Sequence, residues 1–174
     1  METHAQHLQL TLSLLRKHQL YAKISKCCFA KPTLEYLGHI ISYQGVMADP
    51  NKISAMTSWP TPSNIKELRG FLGLIGYYRK FVKHYGVLSK PLTDLLKKNA
   101  FTWTPAATQA FNSLKYDMTT TPVLALPDFS KPFILETDDC ATGIGAVLMQ
   151  EGIPLSFFSK PFGPKSRGLS TYEK

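Results

Sequence analysis

The chain of 174 residues carries 20 Lys and Arg against 12 Asp and Glu, a formal net charge of +8, with 44% hydrophobic and 18% charged residues. That balance excludes a disordered chain and suits one good-sized or two small globular domains. The first residues, Met1 to His7, are too polar for a secretory leader, and no run reaches the roughly 18 apolar residues of a membrane span. Cys27, Cys28 and Cys140 are an odd number without metal-ligand spacing, so neither a disulfide framework nor a zinc site is implied. The expected setting is intracellular, in a cytoplasmic particle or the nucleus, with no membrane partner.

The charge is uneven. Up to Pro127 there are 15 basic and 6 acidic residues, and from Asp128 onward 5 and 6. A phosphate-bearing partner would therefore dock on the first part, where it can release counterions.

In chain order, Thr3 to Gln19 reads as a helix with Leu8, Leu12 and Leu15 as its apolar stripe. Tyr21 to Ile24 and Cys27 to Phe29 are short extended candidates. Leu34 to Tyr43, rich in β-branched and aromatic residues, reads as one strand that turns at Gln44-Gly45 into Val46 to Ala48. Asp49-Pro50 has the N-cap and first-turn signature of the next helix. Pro60 and Pro62 end that helix, and Ser63 is the predicted N-cap of a long one from Asn64 to Tyr85.

This long run has two unlike faces. At about 100° per residue, Ile65, Leu68, Phe71, Leu72, Leu74, Ile75, Tyr78, Phe81 and Val82 share an apolar arc. The other arc holds Lys66, Arg69, Gly70, Gly73, Gly76, Tyr77, Lys80 and His84. Each interior glycine costs roughly 0.5–1 kcal/mol relative to alanine, so a close contact should compensate. Another helix could supply it. Bare backbone beside cations and Tyr77 also suits the shallow groove of a nucleic acid duplex.

Further on, Ser89 to Lys97 reads as a short helix exposing Lys90, Lys97 and Lys98, and Ala106 to Met118 as another that buries Ala110, Phe111 and Leu114. A loop around Pro122 to Pro132 is the best boundary. Beyond it Phe133 to Asp138, Ile144 to Gln150 and Leu155 to Ser159 read as an antiparallel meander with turns at Thr142-Gly143 and Glu151-Gly152. A helix is expected to open near Ser170. Three strands with so little cover should leave Phe133 or Ile134 facing water and promote association.

Several stretches together resemble one family, the reverse transcriptases of gypsy-type long-terminal-repeat retrotransposons. They are Leu20 to Phe29 (LYAKISKCCF), Tyr36 to Val46 (YLGHIISYQGV), Trp59 to Val82 (WPTPSNIKELRGFLGLIGYYRKFV), Pro91-Leu92, Phe101 to Trp103 and Phe133 to Leu148 (FILETDDCATGIGAVL). The resemblance implies an α+β chain of three parts: 1–48, the end of a palm with a primer-grip hairpin; 49–127, a helical thumb and connection; and 128–174, an incomplete ribonuclease H-like meander. It implies that Leu37, Gly38 and His39 grip the primer strand. It also implies that Arg69, Gly73, Tyr77 and Lys80, spaced by four, four and three residues, track the minor groove of template-primer duplex.

Asp138, in Glu136-Thr137-Asp138-Asp139-Cys140, falls at the family's first metal-binding aspartate, where two Mg²⁺ ions serve hydrolysis. Asp139 and Cys140 replace the family's alanine and serine, and Asp139 should point away from Asp138. The family's next carboxylate follows a Tyr-Glu-Lys run, here Tyr172-Glu173-Lys174, and its polymerase Tyr-x-Asp-Asp stretch does not occur in this sequence. The expectation is a piece that holds RNA/DNA hybrid or DNA duplex, with the remaining polyprotein segments as further partners, and does no chemistry alone. The alternative is a noncatalytic nucleic acid-binding or protein-interaction remnant.

Overall fold

The structure, a computed structural model, describes residues 2–140 and 142–163, and the side chains of all of these except Glu2, Asp139 and Cys140. Two compact units form, Met1–Leu34 and Glu35–Lys174. The boundaries inferred from sequence at 48/49 and 127/128 both fall inside the second unit. The expected helix near Ser170, and Tyr172 to Lys174, lie outside the described residues, as does the side chain of Asp139.

In the first unit α1 spans Glu2–Lys17. Its stripe is only partly covered: Leu8 and Leu15 are half-buried and Leu12 is exposed. The extended candidates after it form no strand. Ile24–Lys26 winds into a 3-10 turn, and Tyr21 projects into solvent.

Strand β1 (Thr33–Tyr36), β2 (His39–Ser42) and β3 (Gly45–Ala48) form a sheet in that order. The single strand expected over Leu34 to Tyr43 is therefore two. Leu37 and Gly38 both have positive φ, 48° and 73°, the signature of a two-residue turn whose twist matches paired strands. The β2–β3 turn is Tyr43-Gln44, one residue earlier than expected, and Gly45 already belongs to β3. Only glycine fits there, because a Cβ would collide with the Leu124 carbonyl.

Asp49 caps α2 (Pro50–Thr57), accepting from Asn51 N–H at 2.8 Å, with Pro50 in the first turn as expected. Helix α3 runs Ile65–Tyr77, capped by Asn64 and not by Ser63. Capping by Asn64 puts Glu67 at the third helical position. Asn64 Oδ1 accepts from Glu67 N–H at 3.0 Å, and the Glu67 carboxylate reaches back to accept from Ser63 N–H at 2.8 Å and from the Asn64 side-chain amide at 2.7 Å.

The long helix expected to reach Tyr85 stops at Tyr77. The chain tightens to a 3-10 turn, Arg79–Phe81, which lets Phe81 and Val82 both enter the core. His84 adopts the left-handed conformation at φ 60° and leads into α4 (Tyr85–Leu88), followed by α5 (Lys90–Asp94). Helix α5 covers only part of the helix expected over Ser89 to Lys97, and α4 precedes it. Lys90 is not a free cation, since it pairs with Asp94 at 3.0 Å one turn on. Thr104 caps α6 (Pro105–Thr119), whose Ala110, Phe111 and Leu114 are buried as expected.

The core lies among α2, α3, α5 and α6. Leu68, Phe71, Ile75, Leu92, Leu114 and Met118 are fully buried, and Phe71 meets Phe111 with ring centroids 4.5 Å apart.

The segment after α6, expected to be a boundary loop, is tied on both sides. Leu124 exchanges two backbone hydrogen bonds with Val46 of β3, at 2.8 and 2.9 Å, and Ala125 N–H donates to Pro154 O at 2.9 Å. Buried Gln150 fastens its far end, accepting from Asp128 N–H at 2.9 Å and donating to the carbonyls of Asp128 and Lys131.

Strands β4 (Ile134–Cys140), β5 (Gly143–Gln150) and β6 (Ile153–Pro161) then form the antiparallel meander read from the sequence. Phe133, Ile134 and Leu135 are exposed. Strand β6 packs against α4 and the 3-10 turn, and Gly86 N–H donates to Ser159 Oγ at 2.6 Å.

Candidate nucleic-acid interface and carboxylate groove

The structure brings the β1–β2 turn and the end of α3 together. The Tyr77 hydroxyl donates to the Leu37 carbonyl and the Tyr78 hydroxyl to the Gly38 carbonyl, each at 2.7 Å. The turn needs such holding, because Leu37 is a branched residue in left-handed backbone, a conformation that costs roughly 1–2 kcal/mol. Leu37 is 68% exposed and Tyr77 51% exposed, so both present apolar surface beside the latch. Tyr78, which the sequence assigned to the core, is buried and also serves the turn.

His39 follows the turn and is 8% exposed. Its ring lies 5.3 Å from Tyr77, 5.4 Å from Tyr78 and 5.7 Å from Phe81, centroid to centroid. A carbonyl can only accept, so Nδ1–H donates to Leu37 O at 3.0 Å and Nε2 carries the lone pair. Nε2 is buried without a partner. Burial, and secondarily the Lys80 charge, push the His39 pKa down, against the hydrogen bonds to Leu37 and Tyr36 that raise it. Burial likewise raises the Tyr78 pKa, helped by the negative charge of Asp49.

Arg69 and Gly73 lie two turns and one turn before Tyr77 on α3, both exposed. Lys80 sits beyond the helix end, half-buried with its Nζ 5.4 Å from the Phe81 ring centre, so the common helix face holds only as far as Tyr77.

The three glycines also part company. A Cβ on Gly70 would stand 3.2 Å from the Trp59 ring and one on Gly76 3.2 Å from the Tyr85 hydroxyl, so packing within the chain accounts for both. Gly73 alone of the three has nothing within 4 Å. His84, grouped by sequence with this face, has left it. Its ring rests over Gly145, with Nδ1 3.5 Å from where a Cβ would be.

Asp138 stands apart from the turn and α3. It pairs with Gly145 across β4 and β5 and is exposed in a groove of about 270 Å³ lined also by Lys83, His84, Glu136, Phe157 and Phe158. Glu136, two residues earlier, shares its face. Sequence reasoning treated Glu136 as motif only, and its alternation with Asp138 was the available signal. The described residues hold no group of three or more His, Cys, Asp or Glu placed to bind a metal ion. Two carboxylates facing Lys83 and His84 do not make the carboxylate cluster that two Mg²⁺ ions need, so no reaction step is assigned to Asp138.

Residues 103–174 match the family described as an RNase H-like domain found in reverse transcriptase. An uncharacterized mitochondrial protein of Arabidopsis thaliana is 56% identical over 130 residues, covering 74% of this chain and 82% of that protein. The retrovirus-related Pol polyprotein from transposon 297 of Drosophila melanogaster is 40% identical over 173 residues, covering 98% of this chain.

The chain is similar to part of retroelement Pol polyproteins, in their reverse transcriptase/ribonuclease H region, and its residues 103–174 match the RNase H-like domain. It spans 16% of the length of the transposon 297 polyprotein. The family usually uses divalent metals. The foamy viral protease-reverse transcriptase in complex with RNA/DNA hybrid shares the fold, with a TM-score of 0.88 at 20% identity over 100% of this chain and 24% of that one. The α+β reading and the retroelement resemblance are thus borne out. Among the described residues no helix is long and apolar enough to cross a membrane.

Proposed function

We propose that this chain is the duplex-holding part of a gypsy-type reverse transcriptase/ribonuclease H. In this reading residues 1–48 end the palm, 49–127 form thumb and connection, and 128–174 begin the ribonuclease H domain. The turn Leu37-Gly38-His39 and the strip Arg69, Gly73, Tyr77, with Lys80 beyond it, grip an RNA/DNA hybrid or DNA duplex. The observation that carries this reading is the hydrogen bond from Tyr77 to Leu37, which joins the two candidate contact surfaces beside the open backbone of Gly73. The net charge of +8, concentrated before Pro127, supports a polyanionic partner. A foamy viral relative in fold is itself complexed with RNA/DNA hybrid.

Holding duplex is separate from cutting it. The chain has no Tyr-x-Asp-Asp stretch, and Asp138 with Glu136 falls short of a two-metal cluster among the described residues. In this proposal chemistry requires carboxylates from other polyprotein segments, in a cytoplasmic particle or the nucleus.

The test is fluorescence anisotropy of a labelled RNA/DNA hybrid at two salt concentrations with Mg²⁺, on the wild type and on Arg69→Glu with Tyr77→Ala. Salt-sensitive binding lost in the variant is the expected result. Equal binding by both would replace the proposal with a protein-interaction role, for which filled Gly70 and Gly76 are the precedent on this helix.

A further inference from the structure

We infer that Tyr77 serves the duplex interface through its hydroxyl, as a positioning residue that holds the Leu37-Gly38 turn in register with α3, and not through stacking of its ring. The inference rests on the duplex-holding reading above and names the device that makes two separate elements one surface.

Four hydrogen bonds converge on the turn's two carbonyls. Leu37 O accepts from the Tyr77 hydroxyl at 2.7 Å and from His39 Nδ1–H at 3.0 Å. Gly38 O accepts from the Tyr78 hydroxyl at 2.7 Å and from Asp49 N–H at 3.1 Å. Adjacent tyrosines on a helix would ordinarily diverge by about 100°. Here Tyr77 is the last residue of α3 and Tyr78 its C-cap, so the helix ends where both hydroxyls can reach one turn. The two rings meet edge to face at 5.0 Å, and the His39 ring lies against both. Each phenol therefore has a fixed approach to its carbonyl.

The latch has a cost to offset. Leu37 sits at φ 48°, where a branched side chain is disfavoured, and a free turn would relax from that conformation. Relaxation would leave the turn to be re-ordered on every binding event, and such ordering subtracts from affinity. A Tyr77 hydroxyl tied to Leu37 O also aims that end of the ring at the turn, and its contacts with the His39 and Tyr78 rings hold the half-exposed phenol in place, so it is not a free stacking platform.

Tyr77→Phe separates the two roles, because it keeps the ring and removes the latch. The same hybrid-binding assay is run on wild type, Tyr77→Phe and Arg69→Glu across a salt series, with a thermal melt of each. The expected result is that Tyr77→Phe weakens binding about three- to tenfold, the value of one hydrogen bond, while leaving the slope of affinity against salt unchanged. Arg69→Glu lowers that slope. A purely structural role would show as a fallen melting temperature without a change in affinity of the folded protein.

Wild-type affinity in Tyr77→Phe, with Arg69→Glu still impaired, overturns the latch and leaves the duplex reading standing. Full binding by Arg69→Glu overturns the duplex reading itself. Should Tyr77→Phe be unfolded at the assay temperature, Tyr78→Phe takes its place, because it keeps the ring and removes the hydroxyl that holds the Gly38 carbonyl, the second half of the latch. The same loss at constant slope supports the inference, and unchanged affinity overturns it.

Discussion

The helical region around α3 and the β4–β6 sheet are built from similarly apolar sequence, yet one is buried and the other stands in water. Leu68, Phe71 and Ile75 of α3 have no exposed surface, whereas Leu135 in β4 is 63% exposed and Phe158 in β6 59%. The difference is one of layers. Helix α3 has α2, α6 and the 3-10 turn to cover its apolar arc, while the sheet is covered, among the described residues, by α4 and the 3-10 turn along β6. Apolar pattern names a face, and only a second layer buries it.

That contrast can be broken first at its largest point. Phe71→Ala should cost about 3–5 kcal/mol by opening a cavity against Phe111 and Trp59, while Leu135→Ala should stay within about 0.5 kcal/mol. Urea denaturation of both variants measures the gap, and equal losses would mean that the sheet is as well packed as the helices. Next, Gly86→Ala probes the join between the two regions. Its Cβ would lie 2.6 Å from the Ser159 carbonyl, so about 1–3 kcal/mol should be lost, and β6 amides should exchange faster with solvent.

Within the helical region, Asn64→Ala removes the cap of α3 and should lower stability by about 1 kcal/mol, read by thermal melting. Gly73→Ala goes the other way. With nothing within 4 Å of its Cβ it should stabilise by about 0.5–1 kcal/mol and, on the proposed function, weaken duplex binding. Stabilisation with unchanged binding would remove Gly73 from the interface.

The smallest effect is a pH dependence at His39. Its folded pKa lies below the ordinary histidine value, so the folded chain resists a proton that the unfolded chain accepts. The stability this contributes is present above about pH 6.5 and is lost as pH falls through the folded pKa. Denaturation midpoints should therefore decline on acidification in the wild type and decline less in His39→Gln.

Much of this was legible in the chain. The Asp49-Pro50 start of α2, the buried side of α6 and the three-strand meander follow from local chemistry and period, which neighbouring residues determine. The exposure of Phe133 and Ile134 was legible too, because three strands with so little cover leave one face to water. The N-cap of α3 lies one residue beyond the expected Ser63, because Ser63 and Asn64 are both good caps and the Glu67 N–H falls to Asn64.

The sequence by itself determined which residues are apolar, where most elements begin and which family's motifs they carry. Tertiary structure decided where α3 ends, that Gly70 and Gly76 are filled by Trp59 and Tyr85, and that His84 moves to the Asp138 groove. It also decided that Tyr77 and Tyr78 reach a turn forty residues away. A helical projection assumes one straight helix and an empty surround. Long-range contacts broke both assumptions, because burying Phe81 and Val82 and satisfying the turn carbonyls outweighed another turn of helix.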